Sequence, residues 1–120
     1  MPAANAVLLT SVRATNTDGT ITTGATHATQ RNHAYLVTAY VVASSGDTTA
    51  GYIRAATFEN SAGTLTQVGA TTSVATHEDI GAPMDCVFDT NGTDIRVRIT
   101  GDPGRTIKWN IDLDIRKIAQ

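Results

Sequence analysis

The sequence has little that builds helices or carries strong charge. It holds two lysines against seven arginines, and almost no glutamate. Lysine and glutamate are among the residues that favour helix on an exposed face. Charged residues make up 17% of the chain and the formal net charge is −2. No basic surplus exists to neutralise phosphates, so the electrostatic footprint of nucleic-acid binding is missing. Apolar runs fall far short of the roughly 20 residues that cross a bilayer as a helix. A single cysteine, Cys86, excludes an intrachain disulfide, which leaves packing or association to supply stability. Met1-Pro2-Ala3-Ala4-Asn5 has neither a basic region nor an apolar stretch long enough for a secretory signal. Aromatic residues are 5% of the chain, thin support for a broad sugar-stacking platform.

What is present points to strands. The 120 residues are one domain's worth, and 41% are hydrophobic, enough for one core without covalent staples. Threonine occurs 21 times, and β-branched side chains fit a pleated surface. Residues 6–13 (AVLLTSVR) read as a first strand or an arm, and 14–32 as a polar loop with at most a short strand near 20–23. His33 to Ala43 is a long strand with apolar residues on both faces, the pattern of a strand covered on both sides or meeting a partner. Thr49 to Glu59 follows, then two short strands, Thr64 to Val68 and Thr71 to Thr76, joined near Gly69.

Asn91-Gly92 is the favoured pair for a two-residue hairpin. With those two as the loop, Phe88 faces Ile95, Cys86 faces Val97 and Met84 faces Ile99. The other side then pairs Asp85 with Arg98 and Val87 with Arg96, and sets Asp89 against Asp94. Pro83 cannot donate to a ladder and belongs at a strand start or edge. In the last strand, Thr106 to Ile118, the residues Ile107, Trp109, Ile111, Leu113 and Ile115 share one face. Lys108, Asn110, Asp112, Asp114 and Arg116 share the other. Eight or so short strands with a turn about every ten residues predict an all-β, antiparallel, jelly-roll-like sandwich. It is expected as a single domain over 1–120, with 1–32 as N-terminal arm and polar loop.

A search for chemistry finds little. His27, His33 and His77 lack the local spacing of a zinc site, and no cofactor or metal is expected. His77-Glu78-Asp79 is a compact acidic cluster that reads first as a solvated loop with local turn bonds; the alternatives are a cation site or the acid–base groups of a small hydrolase. No Gly-x-Ser-x-Gly elbow frames a serine. Cys86 lies on an apolar strand face, where a thiol behaves as a small hydrophobe. Arg96, Arg98, Lys108 and Arg116 would make a basic stripe if they shared a sheet face, but Asp112 and Asp114 interrupt it. Tyr35 and Tyr40 have opposite parity on one strand, so one points inward and one outward.

The run from Tyr35 to Ile118 resembles a domain that recurs in structural proteins of tailed bacteriophages. The resemblance rests on Val41-Val42-Ala43, then Tyr52-Ile53-Arg54-Ala55-Ala56-Thr57-Phe58, then Gly63-Thr64-Leu65-Thr66-Gln67-Val68-Gly69. It continues through Asn91-Gly92-Thr93-Asp94-Ile95-Arg96-Val97-Arg98-Ile99-Thr100-Gly101 and Gly104-Arg105-Thr106-Ile107-Lys108-Trp109. These motifs are turns and strand faces, so they specify a fold better than a task. Because little precedes the matching run, the resemblance implies a non-enzymatic virion protein of the capsid decoration, or cement, type on the capsid exterior. Such a protein would be a homotrimer that bridges subunits of the major capsid protein, with no nucleic-acid or membrane partner. The alternative is a tail-fibre or tail-tip module that binds a host-surface glycan. Candidate interface residues are Val7, Leu8 and Leu9 in the N-terminal segment and the exposed member of the pair Tyr35 and Tyr40. That segment would add as a strand to a neighbour or form the first strand of its own sandwich.

Overall fold

In a computed structural model, the structure describes residues 6–17, 19–78 and 84–120, with side chains from residue 11 onward apart from residues 16 and 17. The strands are β1 (Ala6–Thr17), β2 (Ile21–Ala28), β3 (His33–Ser44), β4 (Thr49–Ser61), β5 (Thr64–Glu78), β6 (Asp85–Asn91), β7 (Asp94–Thr100) and β8 (Thr106–Ala119). They form two antiparallel sheets, a large one ordered β1-β8-β3-β4-β5 and a small one ordered β2-β7-β6. Pairing of β1 with β8 and of β2 with β7 nests the late strands against the early ones, as in a jelly roll. β4 and β5 extend the large sheet as a meander. The all-β sandwich expected from the sequence is the fold observed.

The strict alternation of β8 decides where the core lies. Ile107, Trp109, Ile111, Leu113 and Ile115 are all buried between the sheets. From β3 come Tyr35, Val37, Ala39, Val41 and Ala43, and from β7 Ile95, Val97 and Ile99. Each large aliphatic side chain so buried is worth about 1.5–3 kcal/mol. Aromatic rings fill the widest gaps. Phe58 meets Phe88 edge-on at 5.9 Å between centroids, and Tyr52 stacks on Trp109 at 6.4 Å. Such pairs add to what area burial alone supplies.

Three local expectations change. Residues 14–32 are not a long loop, because β1 runs to Thr17 and β2 spans Ile21–Ala28 against β7. The polar Thr-rich sequence hid β2, and Gly24 at its centre marks a register shift in the ladder. A Cβ on Gly24 would sit 2.5 Å from Ile111 Cδ1, so glycine lets β2 close onto the core. Second, the two short strands over 64–76 are one strand, β5, which bulges against β4 between Ala55 and Thr57, where Gly69 takes φ +81°. Third, the β6–β7 hairpin is shifted by two residues: Phe88 pairs with Val97, Cys86 with Ile99 and Asn91 with Asp94. A shift of two keeps every side chain on its face. It replaces the Asp89–Asp94 repulsion with a pairing of Asp89 to Arg96, whose Nη2 lies 2.7 Å from the carboxylate. The loop is then Gly92-Thr93, with Gly92 at φ +61°. Pro83 lies outside the described residues.

The β4–β5 turn carries a strained residue. Ser61 pairs with Thr64, leaving Ala62 (φ +53°) and Gly63 (φ +92°) as the loop. Two successive positive φ values suit Asn-Gly, and an alanine there costs about 1–2 kcal/mol. Ala62→Asn is therefore expected to stabilise the fold by about 1 kcal/mol. The check is the urea midpoint; an unchanged or lower value would contradict the strain.

Candidate functional site

The structure separates the candidate interface residues. Tyr35 is 2% exposed, because the odd-numbered residues of β3 face the other sheet. Its hydroxyl accepts a hydrogen bond from Gln30 N–H at 2.6 Å, and its ring meets His27 edge-on. Tyr35 is thereby removed from the surface candidates, a correction that parity left open. Tyr40 is 48% exposed on the outer face of the large sheet. Val7, Leu8 and Leu9 lie in β1, where their backbones pair with Arg116, Ile115 and Asp114 of β8. β1 thus completes its own sheet; the side chains of these three lie outside the described residues.

The outer face of the large sheet is built row by row from the register. One row runs Ser11, Asp112, Tyr40, Ile53 and Ala75 across β1, β8, β3, β4 and β5. The next runs Arg13, Asn110, Val42, Gly51 and His77. Between these two rows lies an open depression of about 240 Å³, walled by Tyr40, Ile53, His77, Asn110 and Asp112. Asn110 Nδ2 donates to Asp112 Oδ1 at 3.3 Å. Among the described residues, neither the Tyr40 hydroxyl nor the His77 ring makes a hydrogen bond. An exposed aromatic ring bordered by a carboxylate, an amide and an imidazole presents an apolar face and several hydrogen-bonding groups together.

Alternation splits the cluster His77-Glu78-Asp79. His77 pairs with Gly51 and lies on the outer face, while Glu78 pairs with Ala50, points to the opposite face and stays exposed. The Tyr52 hydroxyl donates to Glu78 Oε1 at 2.5 Å. Burial first, and the Glu78 carboxylate second, push the Tyr52 hydroxyl far above its ordinary pKa. Asp79 lies outside the described residues. The small-hydrolase reading of this tripeptide therefore loses its shared site.

A buried arginine escaped the sequence reading. Arg54 occupies the inward phase of β4, among Ala50, Tyr52, Ala56 and Phe58. Its Nε donates to the Cys86 carbonyl at 3.0 Å and its Nη1 to the Ala75 carbonyl at 2.8 Å. Asp85 lies 3.8 Å from its Nη2, and the guanidinium stands 4.7 Å from the Tyr52 ring centre. Arg54 ties β5 of one sheet to β6 of the other through charge-assisted hydrogen bonds. The signal was its position: it is the polar member of an otherwise apolar alternation. Beside it, burial pushes the Cys86 thiol up to about 12.

The remaining cations do not form a stripe. Arg96 and Arg98 belong to β7 of the small sheet, whereas Lys108 and Arg116 belong to β8 of the large one. Arg96 is held by Asp89 in two parallel hydrogen bonds of 2.8 and 2.7 Å. No three His, Cys, Asp or Glu side chains among the described residues converge as a metal-ligand set.

Sequence comparison assigns no family: no family model matches the chain, and no curated protein matches it. Among solved structures, one shares its fold and two others match more weakly. The tailspike protein of Acinetobacter baumannii phage AM24 matches over 95% of this chain with a TM-score of 0.51 at 10% identity. This chain spans 26% of that tailspike's length. A tailspike protein, gp49, of A. baumannii bacteriophage Fri1, described as a capsular polysaccharide depolymerase, matches 90% of this chain and 17% of its own length at TM-score 0.44 and 10% identity. The Acinetobacter phage vB_ApiP_P1 tailspike matches 98% of this chain and 22% of its own length, with a TM-score of 0.36 and 15% identity.

The expectation of a non-enzymatic protein does not stand: the chain shares its fold with a tailspike protein, and a fold does not decide whether its bearer is an enzyme. The sequence reading searched for local motifs, but glycosidic cleavage commonly needs only two carboxyl groups brought together by the fold, and spacing does not reveal such pairs.

Two outcomes follow from the buried cluster. Arg54→Ala leaves the Cys86 and Ala75 carbonyls without their donor and should cost about 3 kcal/mol, read from urea unfolding; a loss under about 0.5 kcal/mol, the range of ordinary surface substitutions, would contradict it. Cys86 should resist iodoacetamide in the folded protein at pH 8 and react once urea is added. Full labelling of the folded protein would contradict the burial of the thiol.

Proposed function

We propose that the chain is a module of a bacteriophage tailspike or tail-fibre protein that engages a polysaccharide on the host surface. Its contact is the outer face of the large sheet. The observation that carries the reading is Tyr40, an exposed ring on a central strand with Asp112 directly across on β8. The ring can lie against the C–H face of a sugar, and the carboxylate can accept from its hydroxyls. A fold shared with the AM24 tailspike supports the same reading.

A capsid decoration role, with a homotrimer bridging subunits of the major capsid protein, asks more of this surface. A standard protein interface buries about 800 Å² on each partner, with few charges at its centre. Here Leu36, Tyr40 and Val42 of β3 are exposed apolar side chains, with Ile53 and Ala75 beside Tyr40 on β4 and β5. On β8 they are bordered by Asn110, Asp112, Asp114 and Arg116. An apolar strip edged by hydrogen-bonding groups suits a sugar chain better than a dry protein contact. Both roles place the protein on the virion.

The two roles separate in one experiment. Purified full chain is presented to capsular polysaccharides and lipopolysaccharides from a panel of bacterial strains, and in parallel to undecorated phage capsids. Release of reducing ends is followed in the polysaccharide arm. Saturable binding to a polysaccharide, with or without cleavage, and none to capsids is expected. Binding to the capsid lattice alone would overturn the proposal.

A further inference from the structure

We infer that the depression between Tyr40, Gly51, His77 and Asp112 is a subsite for one neutral pyranose unit, a hexose or a 2-acetamido hexose, and that Gly51 is its floor. The inference rests on the glycan reading above and names the sugar class and the residue that admits it.

Gly51 is the telling residue, because the fold has no use for a glycine there. Its φ is not in the left-handed region. A Cβ at that position would meet only the Val41 carbonyl oxygen, at 3.8 Å, an ordinary contact. It pairs regularly with Val42 and His77, and the bulges of β4 against β5 lie elsewhere, beyond Ile53. A glycine inside a strand weakens it and often marks a place where a ligand or another backbone comes close. Here the missing side chain leaves an outward gap between Val42 and His77, in the row next to Tyr40.

The walls define the class of occupant. A volume of about 240 Å³ lies below the roughly 300 Å³ at which pockets for drug-sized ligands begin; it suits one ring. Tyr40 and Ile53 supply apolar surface. Asp112 accepts hydrogen bonds, Asn110 both donates and accepts, and the His77 ring adds one of each when neutral. No lysine or arginine lines the depression, and one carboxylate does. A uronate or other acidic sugar would bring a second negative charge against Asp112 with no lysine or arginine in the lining to offset it, so the lining favours neutral sugars.

The test uses the full chain and Gly51→Val. Valine is a strong strand former, so the variant should fold with an unchanged or higher melting temperature while its side chain fills the gap. Isotope-labelled wild type is titrated with glucose, galactose, N-acetylglucosamine and glucuronate, following the amide signals of Tyr40, Gly51 and His77. A neutral sugar should move these signals and glucuronate should not. Affinity for the polysaccharide that wild type binds should fall at least ten-fold in Gly51→Val and in Tyr40→Ala, which alters only an exposed ring. Wild-type affinity in a folded Gly51→Val would overturn the subsite and leave the glycan reading standing. Binding of glucuronate in preference to the neutral sugars would overturn the sugar class. No polysaccharide binding by wild type would overturn both readings. Self-association of wild type that Gly51→Val abolishes would give the depression to a second copy of the chain and overturn the subsite.

Discussion

The packing of β8 between β1 and β3 is the constraint on which the rest depends. One face of this strand is an unbroken row of Ile107, Trp109, Ile111, Leu113 and Ile115, all buried. Side chains alternate across a strand, so this row also forces Lys108, Asn110, Asp112, Asp114 and Arg116 to the other side. Register then carries the choice to the neighbouring strands. Tyr40 faces solvent because Asp112, its partner across the ladder, does. The core and the candidate ligand face are thus two consequences of a single phase, and no residue of one can move without displacing the other.

Polar groups mark where the sandwich departs from a purely apolar core. Arg54 stands inward and finds partners on both sheets, at the Ala75 and Cys86 carbonyls. Tyr52 bridges the regions, stacked on Trp109 and donating to Glu78. The same strand gives Gly51 and Ile53 to the outer face. β4 is therefore the element whose inner phase holds the two sheets together and whose outer phase opens a depression.

Much of this was legible in the sequence, and the reasons for the rest are physical. The alternation in β8 announced the last strand and its faces. The Asn91-Gly92 pair announced a hairpin, but two registers two residues apart bury the same side chains, and only the pairing of Asp89 with Arg96 separates them. β2 was invisible because Thr-rich segments look alike in loops and on solvated strands, and because its inward residues are the small Gly24 and Ala25. The site was legible only in part. Tyr40 was picked out by parity, yet Gly51, His77 and Asp112 come from three other strands. Their meeting is a product of register, which local spacing does not encode. The resemblance to a phage structural domain lies in turns and strand faces, and those features are silent on the task.

Hydroxyl-radical footprinting of the full chain, with and without a purified capsular polysaccharide, tests the central claim most directly. That claim is that the outer face of the large sheet meets the ligand while the inner face stays closed. In the free protein, Tyr40 should be oxidised, and Tyr35, Tyr52 and Trp109 should be spared. The polysaccharide should protect Tyr40 and leave the labelling of Ile21, exposed on the small sheet, unchanged. Labelling of Tyr40 that is the same with and without a polysaccharide known to be bound would contradict the account.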